Sequence, residues 1–442
     1  MTSFLKNVCF IRRSLSNCNL ENVWLKKNSF TSYLNTCFVR SFMAGSSNSQ
    51  HINKLNNETP FLPKKALVLT KFSRYEFEKR RHSDLSEEEL IKNLEDRGSD
   101  YKNLLQHHQI HSSNRDLVVK TLQENGIETK VVNRFEYTDA NIDWADVIIT
   151  TGGDGTFLMA ASKIRSSVKP LIGINSDPTR SLGYLCLPSH YTENFPEALN
   201  RLRNGNFRWM YRQRIRVTLT GEHAFDPPVE LHDQQLQYPE YRFLDCVEGH
   251  HKTNSPKVPK LEPKIKNELP VRALNEVFIG ESLSSRVSYY ELALDSAPKE
   301  KLKSSGLTIC TGTGSTSWSF NINKVTEQCV KHLLKITSQE TKLDIPVSDP
   351  KLISQITSRF NNSLIFDPTK ELMAYTIRDP IVFGMGFKCK PRGFAKRIEV
   401  KSRMFDACLV IDGGLSFAFN DGSTAILDIN EDDALRTLTL PD

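Results

Sequence analysis

The segment best suited to chemistry runs from Thr151 to Thr156, where one acid, Asp154, lies among three glycines. It follows an apolar run and opens a helix-compatible run. Glycines let backbone N–H groups approach an anion, and a helix N-terminus favours negative charge. A simple phosphate cradle has no need of the Asp154 carboxylate. That carboxylate suits a general base for an attacking hydroxyl or a ligand that holds Mg²⁺ against phosphates, while a plain helix cap is the alternative.

The motifs of the commonest nucleotide-binding folds do not occur in this sequence. It has no GxxxxGK[ST] P-loop and no HRD or DFG kinase signature. The segment from Gly153 to Leu158 also lacks the third glycine of a dinucleotide fingerprint. Phosphoryl transfer by this chain would therefore use another scaffold.

Two further segments carry polar groups where a ligand would use them. Asn275 and Glu276 interrupt an apolar strand pattern, and an amide beside a carboxylate suits a ribose diol or a base edge. The stretch 304–319 reads as a strand, a turn rich in Gly, Ser and Thr, and then a helix. Trp318 in that helix suits stacking on a base. An exposed strand end and an ordinary helix start with a core tryptophan remain the alternatives.

Together these segments resemble the NAD kinases. The family's GGDGT is Gly152 to Thr156, its Asn-Glu pair is Asn275-Glu276, and its Thr-rich stretch is Thr311 to Trp318. The later Asp412-Gly413 matches an Asp-Gly turn of the family, and the resemblance covers about residues 64–425. GGDG also occurs in diacylglycerol and sphingosine kinases and in phosphofructokinases. The stretch 269–282 resembles the animal mitochondrial branch of the NAD kinases.

The resemblance implies a kinase that uses ATP with Mg²⁺, or polyphosphate in some members, to phosphorylate the 2′-hydroxyl of the adenosine ribose of NAD. Asp154 would be the general base, and no protein residue is assigned as a metal ligand. The residues implied to contact the dinucleotide are Gly153, Gly155, Asn275, Glu276, Thr313, Gly314, Thr316, Ser317, Trp318 and Asn321. Trp318 would stack in place of the family's tyrosine. A homo-oligomer, with a dimer favoured, is also implied.

Two departures from the family pattern keep other functions open. Ser305 replaces an acid expected to touch the dinucleotide, and Gly312 replaces a proline of the turn. The first departure favours a dinucleotide-binding sensor with weak or no turnover, whereas the intact Asp154 argues against one. A lipid kinase of the diacylglycerol or sphingosine type would leave Asn275-Glu276 and the Thr-rich stretch without a role.

The elements that must position these residues alternate between strands and helices as far as residue 205. This pattern predicts an α/β domain with a parallel sheet over 58–205. The predicted strands are 66–70, 127–132, 145–150 and 170–175, and the predicted helices are 84–97, 113–125 and 157–166. Ser86 is the expected cap of the first helix, and Gly126 the expected end of the second.

Short β-like runs dominate the rest of the chain. They predict a β-rich domain over 206–425, and the resemblance implies that this domain binds the dinucleotide. The resemblance also makes the N-terminal α/β domain similar to the NAD kinase and diacylglycerol kinase folds. A first strand is expected over 207–220, a long insertion over 221–270, and helices over 322–360. Residues 426–442 are expected to return to the α/β domain.

The net charge of +6 comes from the N-terminus. Residues 1–57 hold seven of the 58 basic residues and one of the 52 acidic residues, so the remainder is neutral. This excludes a basic nucleic-acid-binding surface. The leader is rich in Ser and Thr and poor in acid, which is typical of a mitochondrial transit peptide and predicts a matrix location, while a disordered basic tail is the alternative.

The remaining features of the sequence concern membrane spans, cysteines, histidines and one arginine. No apolar run is long enough to cross a membrane. The cysteines beyond the leader form no CxxC pair, which favours reduced thiols over disulfides or zinc; they are Cys186, Cys246, Cys310, Cys329, Cys389 and Cys408. The histidines at 107, 108 and 111 suit a hydrogen-bonded cluster better than a metal site. Arg74, just after the first predicted strand, is a candidate phosphate contact.

Overall fold

A computed structural model of the 442-residue chain describes residues 58–231, 266–381 and 390–440. The leader 1–57, residues 232–265 of the predicted insertion, Cys246 and Cys389 lie outside the described residues. Within those residues, no helix combines the length and apolarity that a membrane crossing requires.

The N-terminal part is an α/β domain with four parallel strands in the order β2-β1-β3-β4. Its elements are β1 (Lys65–Thr70), α1 (Arg74–Arg81), α2 (Glu87–Asp96), α3 (Tyr101–Glu124), β2 (Glu128–Val132), α4 (Asp139–Trp144), β3 (Val147–Gly152), α5 (Asp154–Lys163), β4 (Leu171–Asn175) and α6 (Phe195–Arg203). The predicted parallel sheet is therefore confirmed.

Both faces of this sheet are covered. Ala66 and Val68 of β1 pack into one apolar cluster, whereas Leu67 and Leu69 pack into another on the opposite face. Alternate residues of a strand point to opposite faces, so a run of apolar residues without polar alternation marks a strand buried on both sides. The sheet can thus hold the turn after β3 at its carboxyl edge.

The second part is β-rich, as predicted, and consists of two antiparallel sheets. One sheet has the strand order β11-β10-β15-β18-β6-β8 and the other β14-β13-β12-β9-β16-β17-β7. The strands are β5 (Arg208–Arg212), β6 (Ile215–Thr220), β7 (Val229–Glu230), β8 (Lys266–Glu268), β9 (Glu276–Glu281), β10 (Ser288–Leu294), β11 (Glu300–Ser304), β12 (Leu307–Cys310), β13 (Met373–Ile377), β14 (Arg392–Ala395), β15 (Arg397–Ser402), β16 (Ala407–Ile411), β17 (Leu415–Ala418), β18 (Thr424–Ile429) and β19 (Leu435–Thr439).

Three helices, α7 (Trp318–Asn323), α8 (Glu327–Thr341) and α9 (Pro350–Asn362), are inserted between β12 and β13. The C-terminal strand β19 pairs with β5 in a sheet of its own. Leu438 of β19 packs into the apolar cluster of the α/β sheet, and Leu435 into the cluster that contains α5. Leu274, which precedes β9, packs into that second cluster as well. These contacts hold the start of β9 beside α5.

Element boundaries differ from the sequence predictions where polar side chains are buried. The helix predicted over 113–125 begins at Tyr101, because Asp100 caps it and its inward histidines hide the apolar period. The helix predicted from Phe157 begins at Asp154. The strand predicted over 207–220 is two strands, β5 and β6, separated by Gln213 and Arg214. Ser86 caps α2 through a full capping box, as predicted.

Candidate active site

The Asp154 carboxylate is held by the chain segment that follows β4. Asp154 is the first residue of α5, and Gly153 occupies the cap position without a side-chain hydrogen bond. The Asp154 Oδ1 accepts a hydrogen bond from the backbone N–H of Leu185 at 2.8 Å, and its Oδ2 accepts one from Tyr184 at 3.1 Å. Asp154 is therefore not an ordinary helix cap. Its carboxylate is fixed by two donors from another segment.

The three glycines of the turn have different roles. A Cβ on Gly152 would lie 2.3 Å from the Oγ1 of Thr156, and one on Gly153 would lie 2.8 Å from the Oγ of Ser181. Gly152 is therefore too tightly packed for a side chain, whereas a side chain at Gly153 would require the Ser181 hydroxyl to move. A Cβ on Gly155 would meet nothing within 4 Å. Gly155 instead leaves open space at the start of α5.

That open space is a cavity of about 250 Å³ between α5 and the turn that joins β16 to β17. We call it the Lys71 cavity. Its polar lining comes from Lys71, Arg134, Thr156, Ser162, Glu230 and Asp412, and Gly155 and Gly414 face it from opposite walls. It brings the turn after β3 within reach of the Asp-Gly turn of the β-rich domain.

Asp412 fixes the backbone that carries the Asn275-Glu276 pair. Its Oδ1 accepts the N–H groups of Asn275 at 2.8 Å and Glu276 at 3.0 Å, while its Oδ2 accepts that of Leu274 at 2.8 Å. Asp412 has a left-handed backbone with φ of 48°, which makes the tight Asp-Gly turn possible. Burial raises the pKa of Asp412 to about 6, although these three hydrogen bonds act in the opposite direction.

Asn275 and Glu276 are buried, and each has one side-chain oxygen left without a partner among the described residues. The Asn275 Oδ1 and the Glu276 Oε2 have no hydrogen-bond partner in the part of the chain that the structure describes. Buried polar atoms are normally satisfied, so this adjacent orphaned pair is a candidate ligand contact. Burial, followed by the nearby Asp412 charge, raises the pKa of Glu276 to about 8. With a pKa near 8, the Glu276 carboxyl carries its proton at neutral pH and is able to donate a hydrogen bond.

The Thr-rich stretch wraps around the same backbone. The Thr311 N–H donates to the Asn275 carbonyl at 3.0 Å, and the Asn275 amide donates to the Ser317 Oγ at 3.2 Å. A Cβ on Gly314 would lie 2.1 Å from the Asn275 carbonyl oxygen, so this position admits only glycine. Gly312, which replaces the family's proline, packs as tightly against the backbone of Asp367. The stretch therefore fits closely against the start of β9.

The outer residues of the stretch form its exposed rim. Trp318 is 39% exposed, its ring lies 5.5 Å from that of Phe278, and the Arg378 guanidinium lies 5.4 Å from its centre. The Thr316 hydroxyl donates to the Thr313 carbonyl at 3.1 Å. The Asn321 amide donates to the Ser317 carbonyl at 3.1 Å within its own helix. Trp318 thus presents a supported aromatic face, while the polar groups of Thr316 and Asn321 bond locally.

Arg212, at the end of β5, connects the two halves of the site, and the sequence analysis did not identify it. Its Nη1 donates to the Thr313 Oγ1 at 3.3 Å, and its charge acts on Asp154 and Asp367. Burial lowers the pKa of Arg212 to about 10, so it stays cationic at neutral pH. The visible signal was the spacing of arginines at 212, 214 and 216 in a segment that the sequence predicts as a single strand, where alternate residues share a face.

The basic residue beside the turn is Lys71 and not Arg74. Arg74 forms an ion pair with Glu78 at 2.5 Å and packs over the ring of Phe77. Lys71 directly follows β1, and its backbone N–H donates to the Thr151 carbonyl at 2.8 Å.

The histidines of α3 bond to neighbouring residues. His107 contacts Asp177 at 2.8 Å, and His108 contacts Ser73 at 2.9 Å. His111 is buried between Thr70 and Ser176, and burial lowers its pKa to about 4. His111 is therefore neutral and braces the sheet edge.

Comparison with known proteins gives three similarities. The family profile described as the ATP-NAD kinase N-terminal domain matches residues 75–207. The chain is 46% identical over 383 residues to the human protein named NAD kinase 2, mitochondrial, covering 86% of this chain and 85% of that protein. It is 44% identical over 402 residues to the Xenopus tropicalis protein of the same name, covering 86% and 92%. A crystal structure of an Archaeoglobus fulgidus NAD kinase in complex with ATP aligns with 85% of this chain and 93% of that chain, at 16% identity and a TM-score of 0.44.

Proposed function

The chain belongs to the NAD kinase family of phosphotransferases, and we propose that it transfers the γ-phosphoryl group of ATP to the 2′-hydroxyl of the adenosine ribose of NAD. The observation that carries this proposal is the convergence of the three motif segments. Gly155 and Asp412 line one cavity, and Asp412 holds the backbone of Asn275 and Glu276. In this proposal the base and the two orphaned oxygens share one site.

Asp154 is the general base in this proposal. An alcohol is too weak an acid to ionise in advance, so the base takes the proton late and orients the oxygen until then. The ribose 2′-oxygen forms a bond to the γ-phosphorus, the bond from that phosphorus to the β,γ-bridging oxygen breaks, and ADP leaves with the electron pair. The two backbone donors from Tyr184 and Leu185 hold the carboxylate still. Such positioning supplies much of the catalysis in phosphoryl transfer.

The dinucleotide would bind along the start of β9 and the Thr-rich stretch. The Asn275 amide and the protonated Glu276 supply a donor and acceptors for the base and ribose, and Trp318 supplies a stacking face. The remaining contacts in this proposal are Gly153, Gly155, Thr313, Gly314, Thr316, Ser317 and Asn321. Arg212 ties Thr313 to the Asp154 side of the site and is a positioning residue.

The Mg²⁺ of the reaction would enter the site as a complex with ATP. Mg²⁺ keeps several waters and is usually held by one or two carboxylates together with substrate phosphates. Two carboxylates line the Lys71 cavity. The Asp412 carboxylate already accepts hydrogen bonds from three backbone N–H groups, and Glu230 forms an ion pair with Arg134 at 2.7 Å. The phosphates themselves are therefore the proposed main ligands of the ion, which neutralises their charge.

We expect a Glu276→Gln protein to keep its activity at pH 7 within a few-fold and to lose the alkaline fall in kcat/KM for NAD. With a pKa near 8, Glu276 donates below that pH and cannot donate above it. The wild-type value should fall about tenfold per pH unit once the pH exceeds the pKa. A glutamine amide donates at every pH. The measurement is a pH profile of kcat/KM from pH 6.5 to 9.5.

Glu281→Gln is the matched control for this profile, because Glu281 is the buried glutamate at the other end of β9. It should retain the alkaline fall. An unchanged alkaline fall in the Glu276 variant would show that another group controls it.

An acceptor panel separates the proposed reaction from its rivals. The full-length protein is incubated with ATP, Mg²⁺ and one acceptor, and NADP is read with an NADP-specific dehydrogenase. We expect NADP from NAD and no phosphorylated product from diacylglycerol or sphingosine vesicles. Lipid phosphorylation without NADP would establish the lipid kinase instead. NAD binding by calorimetry without any phosphorylation would establish a sensor.

We also propose a matrix location and a homodimer. The relatives' names place those proteins in mitochondria, and the basic, acid-poor leader suits import. Residues 1–57 fused to a fluorescent protein should carry it into the matrix, and a diffuse cytosolic signal would contradict this. Light scattering on purified protein should give twice the 50.4 kDa chain mass, less any cleaved leader.

A further inference from the structure

The orientation of the Asp154 carboxylate depends on one segment of the chain. In the part of the chain that the structure describes, its hydrogen bonds come from the backbone N–H groups of Tyr184 and Leu185 alone. Both residues end the stretch that follows β4, which we call the 176–185 segment, and this stretch is neither helix nor strand. Because no helix or strand ladder fixes its conformation, the side chains around it must do so.

Asn175, the last residue of β4, fixes the end of the segment that approaches Asp154. Its Nδ2 donates to the Ser181 carbonyl at 2.7 Å. Gly183 has a φ of 62°, and a Cβ on it would lie 2.8 Å from the same Nδ2. A side chain at Gly183 would therefore be strained by its backbone and crowded by Asn175. The chain thus turns closely around the Asn175 amide one residue before Tyr184.

The other end of the segment is bonded to α3. The Asn114 Nδ2 donates to the Ser176 carbonyl at 2.9 Å, and the His111 Nδ1 lies 2.8 Å from the Ser176 Oγ. The His107 Nδ1 lies 2.8 Å from the Asp177 Oδ2. Residues 107, 111 and 114 are spaced by four and three positions, which places them on one side of the helix. We call these three residues the polar face of α3.

The contact between His107 and Asp177 involves an ionised carboxylate. Asp177 is 3% exposed. Burial alone would raise its pKa, but hydrogen bonds from Thr179 and His107 outweigh burial and leave the pKa below its ordinary value of 3.8. Hydrogen bonds to an ionised acceptor are stronger than those between neutral groups. The start of the 176–185 segment is therefore held firmly against α3.

Resting on the proposed function, in which Asp154 is the general base, we propose that His107 and Asn114 are positioning residues for that base. They hold the start of the 176–185 segment against α3, so that its far end presents two N–H groups to the carboxylate in one geometry. Their own partners are residues 177 and 176, and they act on Asp154 through the segment. A reacting group misplaced by about 1 Å can lose about 100-fold in rate, so the placement of the base carries much of its effect.

The first measurement separates turnover from binding. Steady-state kinetics and calorimetry compare the full-length protein with its His107→Leu and Asn114→Leu variants. Each variant should lower kcat for NADP formation by about 10- to 100-fold, with the dissociation constants for NAD and AMP-PNP unchanged. His107→Asn places an amide N–H near the position of the ring Nδ1 and should restore most of kcat.

His108→Leu is the matched control. His108 is the next residue of the same helix and is also half-buried, but its ring bonds to the Ser73 Oγ at 2.9 Å and not to the 176–185 segment. The same substitution there should lower stability to a similar extent and leave kcat unchanged. Melting temperatures show that each variant is folded.

The second measurement needs no activity. Hydrogen exchange of the peptide that contains Tyr184 and Leu185 is followed by mass spectrometry, because an N–H group exchanges only when its hydrogen bond opens. His107→Leu and Asn114→Leu should speed this exchange by about tenfold or more. His108→Leu should leave it at the wild-type rate.

Each outcome decides the proposal. Wild-type kcat in both His107→Leu and Asn114→Leu would overturn it, whether or not exchange is faster, and so would an equal loss of kcat in His108→Leu. Weaker NAD binding in place of a lower kcat would also overturn it. The expected exchange pattern in a protein that makes no NADP would retain the link from α3 to Asp154 and reject only the proposed reaction.

Discussion

An Asp154→Asn protein is expected to bind NAD as the wild type does and to lose kcat for NADP formation by about 100- to 10,000-fold. That range is the usual contribution of a positioned general base. The asparagine has nearly the shape of the aspartate but cannot take the proton of the 2′-hydroxyl. The measurement is NADP formation under saturating ATP and NAD, together with the NAD dissociation constant from calorimetry.

The carboxylate of Asp154 also accepts hydrogen bonds from two backbone N–H groups. This structural role needs its own control. Asp146 provides it, because its Oδ2 accepts the backbone N–H groups of Lys64 at 2.8 Å and Lys65 at 2.9 Å, before β3. Asp146→Asn should cost a similar amount of stability and leave kcat intact. Equal losses of kcat in the two variants would mean that Asp154 acts through the fold and not as a base.

An Asp433→Ala protein is expected to lose about 3–5 kcal/mol of unfolding free energy, the usual effect of removing one partner from a buried ion pair. Asp433 is 4% exposed and accepts hydrogen bonds from Arg216 at 2.6 Å and Arg272 at 2.8 Å. Its carbonyl accepts another from the fully buried Arg214, which also binds carbonyls at the end of α5. Urea denaturation measures the change.

The same carboxylate gives this stability a pH dependence. Burial alone would raise the pKa of Asp433, but hydrogen bonds from Arg216 and Arg272 outweigh it and leave the pKa below its ordinary value of 3.8. Its stabilising contribution is therefore fully present above pH 3.8 and is lost as the pH falls through the lowered value. Asp432→Ala, at the exposed neighbouring acid, should change little. Equal losses of unfolding free energy in the Asp433 and Asp432 variants would show that the ion pairs of Asp433 do not stabilise the fold.

Elements with a long apolar run or a clear capping residue were predictable from the sequence. The double-sided burial of β1 follows from its uninterrupted apolar residues, and the start of α2 follows from the capping residue Ser86. The first half of α3 was not predictable, because His107, His108 and His111 face polar partners inside the fold and break the apolar period. Local pattern alone cannot show that a polar face is buried.

The site was predictable only in part, for a similar reason. Asp154 and Asn275 belong to short motifs whose composition is visible in a single sequence. Lys71 and Arg212 belong to no motif, and only the packing of distant segments brings them to the site. The proton on Glu276 was also missed, since its pKa depends on burial and on Asp412, which lies far along the chain.

The most direct test of the central claim follows the γ-phosphoryl group itself. The full-length protein is mixed with γ-³²P-labelled ATP, Mg²⁺ and NAD, and the products are separated and digested to locate the label. We predict one labelled phosphate on the adenosine 2′-oxygen of NADP for each ADP released, with no label transferred by the Asp154→Asn protein. Label on another oxygen, label on water as inorganic phosphate, or equal transfer by the variant would contradict the account.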